Sequence, residues 1–276
     1  NYKPTHMLMI SYCIDSLLKS PKIEGQDLSF IKTMGIGGEG VTPEFEEKAQ
    51  KFMYDHNINS AMMYGYGMTE NSSGVTSRFN SETSKTGSVG VPQINTVVGI
   101  FDPDTLEELL YGNVGEVCVL SSTQMLGYFG DNVLTHSVLK KHKDGKIWLH
   151  TGDLGYMDKD GFVFFKQRLK RMIVSSGYNV YPSQIEETIN MHPSVLTSTV
   201  IGIPHPYKIQ VAKAYVVLKQ NVKKSKNKIK EEIMDLCQKN LARYSQPYEI
   251  EFRESLPKTK IGKVNYKELE KENINL

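Results

Sequence analysis

The spacing of apolar residues along this chain changes character twice, and no single sheet or helical bundle can satisfy all three patterns. Up to about residue 86, helix and strand signals alternate. Ile10, Ile14, Leu17 and Leu18 have helical spacing within residues 7–19, and a strand is expected over residues 30–35. A helix is expected from residue 43 to about 56, with Phe45, Ala49, Phe52 and Met53 on one face, and a second strand over residues 60–64. Thr42 can cap that helix and Pro43 suits its first position. Such alternation reads as α/β. From residue 87 to 150 the signal is instead a set of β-rich runs, at residues 96–101, 115–120 and 146–150. Turn signals at Pro103-Asp104, Gly112-Asn113 and Asp144-Gly145 separate them, which predicts a small antiparallel sheet or barrel.

Beyond this region the pattern mixes again. Strands are expected at residues 162–165, 172–174, 195–203 and 212–218. Ser183 and Glu186 have capping-box spacing for a helix that ends before His192-Pro193. A second helix, residues 225–241, carries Ile229, Ile233, Leu236, Cys237 and Leu241 as an apolar stripe. The charge divides at the same place. Residues 170–276 hold 18 basic and 11 acidic side chains, a net of +7, which leaves 15 and 20, a net of −5, for the rest of the total of 33 and 31. A basic lobe after an acidic one suggests two units, and the basic one can attract a polyanion such as a phosphorylated cofactor. The lysines at 219, 223, 224, 226, 228 and 230 read as a solvated surface instead.

With 39% hydrophobic and 23% charged residues, the 276-residue chain can bury a sizeable core. No run approaches the 18–20 apolar residues of a membrane span. The net charge of +2 is too small to imply a nucleic-acid partner. Cys13, Cys118 and Cys237 lie far apart with no C-x-x-C spacing, which argues against a disulfide framework or a cysteine-rich zinc site and fits the cytoplasm. The opening residues, from Asn1, read as a segment in mid-course, so the chain is expected to be part of something longer.

Three segments carry residues suited to chemistry. In Tyr64-Gly65-Tyr66-Gly67-Met68-Thr69-Glu70, two glycines just after an expected strand let backbone approach a ligand, Thr69 offers a hydroxyl to a phosphate, and Glu70 offers a hard carboxylate suited to Mg²⁺. Tyr66 can stack on a base. In Trp148-Leu149-His150-Thr151-Gly152-Asp153, a carboxylate after a glycine at a strand end can accept hydrogen bonds from a ribose diol, and Arg168 follows fifteen residues later. Pro257-Lys258-Thr259-Lys260-Ile261-Gly262-Lys263 is a glycine-containing loop with three lysines, mobile point charges suited to phosphoryl or acyl-phosphate groups. Taken singly, each has an ordinary structural reading: a tight turn with a core tyrosine, a Gly-Asp turn, a solvated basic loop. A phosphate loop of the G-x-x-x-x-G-K-[ST] type is absent from the sequence.

Their order and spacing together resemble the adenylate-forming superfamily of acyl-CoA synthetases, aryl-CoA ligases, peptide-synthetase adenylation domains and beetle luciferases. The resemblance spans essentially the whole chain and rests on residues 66–70, 151–153, 168–177, 257–259 and 262–263, with Gly37-Gly38-Glu39-Gly40-Val41 similar to the family's turn against adenine. It implies activation of a carboxylic acid, fatty or similarly apolar, by ATP to an acyl-adenylate, followed by thioester formation with CoA and release of AMP. By the same resemblance Tyr66, Gly67 and the Gly38-Glu39-Gly40 backbone would flank adenine, Thr69 would touch the α-phosphate, and Glu70 would help hold Mg²⁺. Asp153 and Arg168 would hold the ribose, Lys263 would bind charge developing during adenylation, Lys170 would be the hinge, and Gly177 would line the pantetheine tunnel.

The sequence departs from the family at Gln167, where Gly or Asp is commoner, and at Ile209-Gln210, where many relatives have Gly-Glu. The family's upstream serine/threonine/glycine-rich phosphate loop is missing, so the isolated chain is expected to be inactive. The expected architecture is α/β and α+β multidomain: residues 1–86 finish a large α/β domain, 87–169 form a distorted antiparallel β-barrel with a closing hairpin, and 170–276 form a small mobile α+β domain. Two alternatives stay open: an adenylation domain that loads a carrier protein, and a non-catalytic nucleotide-binding remnant.

Overall fold

The structure is a computed structural model that describes residues 2–38, 43–79, 84–259 and 262–274. The chain divides into two compact units, Asn1–Lys166 and Gln167–Leu276.

The first unit begins with strand β1 (His6–Met9), helix α1 (Ser11–Leu18), β2 (Thr33–Gly37), α2 (Pro43–Asp55) and β3 (Met62–Met68). These strands are parallel, with Met7 opposite Met34 and Gly35 opposite Met63. Residues 7–9 were expected to start a helix. They form β1 instead, because parallel pairing to β2 gives their backbone a partner and helical spacing alone does not prevent it. α2 lies where the pattern places it, and its Ala49, Phe52 and Met53 are buried against Met34, Ile36 and Met62 of the sheet. Thr42, its expected cap, lies outside the described residues.

After β3 the chain reverses through a short 3-10 turn (Thr69–Asn71) into β4 (Ser73–Phe79), which runs antiparallel to β3 and is followed by β5 (Val91–Pro92). A buried ion pair, Glu46 Oε1 to Arg78 Nη2 at 2.5 Å, ties α2 to β4, and the guanidinium lies over the Tyr64 ring. Removing either partner would leave an uncompensated buried charge, which typically costs about 3–5 kcal/mol.

A second, antiparallel sheet follows: β6 (Thr96–Phe101), β7 (Gly115–Ser121), helix α3 (Asn132–Val138), β8 (Leu139–Lys141), β9 (Ile147–Met157) and β10 (Val163–Arg168). The strand order is β10-β9-β7-β6, with β8 also on β9. A bridge between Gly90 and Val163 links its edge to the first sheet's end, and Val75 of β4 joins Val98, Ile100, Val117, Val119 and Leu149 in one core. β9 runs seven residues beyond the expected 150, through the Thr151-Gly152-Asp153 motif.

The second unit opens with a 3-10 turn (Leu169–Arg171) and continues β11 (Ile173–Ser175), β12 (Tyr178–Val180), α4 (Pro182–Asn190), β13 (Val195–His205), β14 (Ile209–Leu218), α5 (Lys226–Asn240), β15 (Glu249–Arg253) and α6 (Tyr266–Ile274). β14 is buried on both faces. Ala212, Ala214 and Val216 pack with Ile185 and Ile189 of α4 and Ile229, Ile233 and Cys237 of α5, whereas Tyr215 and Val217 pack with Leu269 of α6. The two-residue side-chain period of a strand separates these sets. Ser225 caps α5 by accepting from the Lys228 N–H.

The Ser183/Glu186 capping box does not form. Pro182 takes the first helical position and Tyr181 precedes it, so Ser183 is already inside the helix. Its N–H and hydroxyl both donate to Gln167 Oε1 at 3.3 Å, while Glu186 accepts from Arg171, Thr199 and the Val200 N–H. A side chain from β10 thus satisfies a helix-end donor that the box would have left to Glu186.

Candidate functional site

The carboxyl ends of parallel strands are where an open α/β sheet leaves backbone and loops free for a ligand. Gly38, left-handed at φ +82°, directly follows β2, and Gly37 pairs with Gly65 of β3. Glu39 and Gly40 lie outside the described residues. The glycines at 65 and 67 sit within β3, not after it as expected. The β3–β4 register shifts between Tyr66 and Gly67, and a Cβ at 67 would lie 1.9 Å from the Ser73 carbonyl oxygen. Glycine at 67 is therefore required by the approach of β4, whatever else binds there.

Next to this irregularity, the Tyr66 hydroxyl donates to Asp153 Oδ2 at 2.7 Å. Two motifs 87 residues apart are brought to one place. Asp153 is buried at 2% exposure and does not sit at a strand end. Cys118 pairs with His150 and Glu116 with Leu154, so Thr151, Gly152 and Asp153 on β9 face Val117 alone on β7. This special bulge, three residues against one, re-aims the carboxylate. Gly152 takes the left-handed φ of +69° that the bulge demands, and the Thr151 hydroxyl donates to the Val117 carbonyl at 2.6 Å while accepting from the Asp153 N–H. Glu116 Oε1 accepts from the Gly152 N–H at 2.9 Å.

Thr69 is exposed at the start of the 3-10 turn. Glu70 beside it is half-buried, and its Oε1 accepts from the Tyr128 hydroxyl at 2.7 Å. Its carbonyl accepts from the Met125 N–H at 2.8 Å, which ties the turn to the segment after β7. Burial, then the Glu70 carboxylate, pushes the Tyr128 phenol up to about 12, so it stays a donor. Sequence reasoning missed Tyr128, because nothing local to it signals a carboxylate 58 residues away.

The remaining candidates belong to the second unit. Arg168 is exposed at the end of β10, and Lys170 is exposed in the 3-10 turn that follows. Gly177 joins β11 to β12. With Ser176 at φ +51° and Gly177 at φ +82°, this two-residue connection has the positive angles of a type I′ hairpin turn. Lys263 lies in a looped segment closed by Thr259 N–H to Lys263 O at 2.7 Å and by a bridge between Lys258 and Val264. Gly262 is left-handed there at φ +84°. A shallow cleft between α1 and α2, lined by Leu17, Phe52 and His56, contains none of these residues.

Comparison with known proteins identifies the family. Residues 1–129 match the family model described as AMP-binding enzyme, and residues 184–263 match the AMP-binding enzyme C-terminal domain. A long-chain-fatty-acid–CoA ligase of Bacillus subtilis is 34% identical over 95% of this chain and 44% of its own length. The 4-coumarate–CoA ligase-like 2 of Arabidopsis thaliana is 36% identical over 89% of this chain and 41% of its own. The chain thus spans less than half the length of these curated relatives. Among solved structures, ATP-bound MatB from Rhodopseudomonas palustris matches with a TM-score of 0.83 at 25% identity, over 97% of this chain and 50% of that one. The amide bond synthetase McbA from Marinactinospora thermotolerans matches with a TM-score of 0.82 at 28% identity, over 98% and 52%.

Proposed function

Because the chain belongs to the adenylate-forming family of AMP-binding enzymes, we propose that the protein carrying it is an AMP-forming acyl-CoA synthetase acting on a fatty or similarly apolar acid. In the first half-reaction a carboxylate oxygen attacks the α-phosphorus of ATP and pyrophosphate leaves. In the second, the sulfur of CoA attacks the acyl carbon, the bond to AMP breaks, and the thiol proton is released. The observation that carries this reading is the Tyr66–Asp153 hydrogen bond, which supports one nucleotide site built from two distant motifs.

Within that site Asp153, whose carboxylate offers about four lone-pair sites, is assigned the ribose hydroxyls together with Arg168. The Tyr66 ring and the Gly38-Glu39-Gly40 backbone are assigned the adenine, and Thr69 the α-phosphate. Glu70 fits Mg²⁺: it presents a half-buried hard carboxylate with one oxygen already oriented by Tyr128, and Mg²⁺ takes one or two carboxylates alongside substrate phosphates and waters. Bound there, the ion would neutralise charge on the leaving pyrophosphate. Lys263 is assigned the charge that develops during adenylation, Lys170 the hinge between half-reactions, and Gly177 a place on the pantetheine path. CoA is preferred to a carrier protein as acceptor because the curated relatives above are CoA ligases. None of the three cysteines is in a disulfide, which suits a cytoplasmic setting, and no helix among the described residues is long and apolar enough to cross a membrane.

The test is acid-dependent pyrophosphate release by the full-length protein across a panel of aliphatic and aromatic acids, followed by CoA-dependent release of AMP. Both steps with an apolar acid support the reading. Tight AMP binding with no pyrophosphate from any acid would favour the non-catalytic alternative.

A further inference from the structure

The bulge that aims Asp153 is braced from behind by a buried polar chain that has no direct place in the chemistry above. Glu116 uses both oxygens of its carboxylate on residues flanking the motif. Oε1 accepts from the Gly152 N–H at 2.9 Å, and Oε2 accepts from His150 Nδ1 at 2.7 Å. Because the carboxylate only accepts, His150 carries its proton on Nδ1. His150 Nε2 then meets His142 Nε2 at 2.8 Å, so the second ring completes a chain of three side chains, all at least nine-tenths buried. His142 is fixed edge-on against Phe101 and stacks on Trp148.

We infer that Glu116, acting through His150 and Gly152, is a positioning residue for ribose recognition: it holds the Thr151–Asp153 bulge in the shape that presents the Asp153 carboxylate. This rests on the nucleotide reading given above. The geometry is specific to that task. An ordinary buried salt bridge would join two strands at one point, whereas this carboxylate grips the residue before the bulge and the residue at its centre. The brace is also sensitive to protons. Burial, then the neighbouring His150, holds the His142 imidazole below its usual range. Burial opposes ionisation of Glu116, but the hydrogen bonds from His150 and from the Gly152 N–H outweigh it and hold that carboxyl below its usual range. The titratable and charged groups facing the pair are Glu116 and Cys118 from β7, Lys140 from β8 and Asp144 from the turn before β9; β6 contributes only the Phe101 ring. An added proton on this chain breaks its donor–acceptor order, so ribose recognition should weaken on acidification.

The experiment measures KM for ATP and for 2′,3′-dideoxy-ATP between pH 5.5 and 8.5 in the full-length protein. Glu116→Gln keeps one acceptor oxygen and turns an NH2 toward the other of its two donors, the Gly152 N–H and His150 Nδ1–H. It should raise the ATP KM about tenfold, as expected for one lost charge-assisted hydrogen bond, with a much smaller fall in kcat and little change for the dideoxy nucleotide. Asp153→Ala sets the limit of lost discrimination. A second pair of variants guards against misfolding: His150→Asn keeps an N–H for Glu116, and His150→Leu keeps none. The expected result is that Asn retains most of the discrimination, while Leu loses it. Wild-type discrimination in Glu116→Gln, or equal behaviour of the two His150 variants, overturns the inference while the ribose role of Asp153 stands. If Asp153→Ala itself leaves discrimination intact, the ribose assignment falls and the positioning role falls with it.

Discussion

At the scale of single residues, the glycines separate into two kinds that look alike in the sequence. Gly67 is fixed by contact: an added Cβ would sit 1.9 Å from the Ser73 carbonyl, and backbone cannot yield as a side-chain tip can. Gly177 is fixed by conformation: a Cβ there meets nothing within 4 Å, but φ is +82°. Gly177→Ala should therefore cost only the left-handed penalty, about 1–2 kcal/mol, whereas Gly67→Ala should cost more and also weaken ATP, because it displaces the strand bearing Tyr66. Denaturant midpoints of the two variants check the ranking, and an equal loss would mean that β4 can move aside. The Tyr66 hydroxyl allows a finer test. Tyr66→Phe keeps the ring and removes the donor to Asp153, which should raise the ATP KM about three- to tenfold, the worth of one ordinary hydrogen bond. An unchanged KM would show that the hydroxyl does not orient the carboxylate. Residue types and motif order were legible in the sequence, but the Tyr66–Asp153 and Glu70–Tyr128 partners were not, since contacts across 87 and 58 residues leave no local periodicity.

At the scale of elements, the misplaced boundaries have a common cause. β3 runs past its expected end to Met68 and β9 runs through Thr151-Gly152-Asp153, because each irregular stretch is absorbed as a bulge or register shift against a paired neighbour. Glycine signals a break only when no strand lies alongside. The brace behind the β9 bulge makes stability depend on pH. The carboxyl of Glu116 and the imidazole of His142 are both held below their usual ranges, so folding favours their deprotonated forms. Their contribution is complete above the unfolded values, about 6.5 for imidazole and 4.3 for glutamate, and is lost as pH falls through the folded ones. Stability should therefore decline progressively below about pH 6.5, and His142→Phe should give a lower but flatter curve between pH 6.5 and 5. A wild-type slope in that variant would remove His142 from the account. The proposed hinge is also an element, the 3-10 turn Leu169–Arg171. Proline at 170 suits the φ of such a turn, but it disfavours the helical conformation of the preceding Leu169. Lys170→Pro should thus open the turn, leave the far-ultraviolet circular dichroism unchanged and slow the two half-reactions unequally. Wild-type rates for both would argue against a hinge there.

At the scale of the whole molecule, the change of periodicity along the chain gave the correct kinds of architecture: parallel α/β, then an antiparallel sheet, then α+β. It could not give strand order. β15 joins β14 in parallel after a long excursion through α5, and its short, half-polar Glu249–Arg253 run has too little apolar patterning to announce it. The shift in charge sign near residue 168 lies close to the division between Lys166 and Gln167. The nucleotide candidates Tyr66, Glu70 and Asp153 belong to the first unit; Arg168, at the start of the second, precedes the proposed hinge at Lys170, and Gly177 and Lys263 follow it. That distribution suits an enzyme in which the residues beyond the hinge supply a charge for one step only. Lys263 is the residue on which this division of labour rests. In full-length Lys263→Ala protein, adenylate formation, read as acid-dependent pyrophosphate release, should fall roughly 10²–10³-fold, the usual loss for one preorganised charge contact. Thioester formation from supplied acyl-adenylate and CoA should remain close to wild type. An equal fall in both half-reactions, or no fall in the first, would contradict the account.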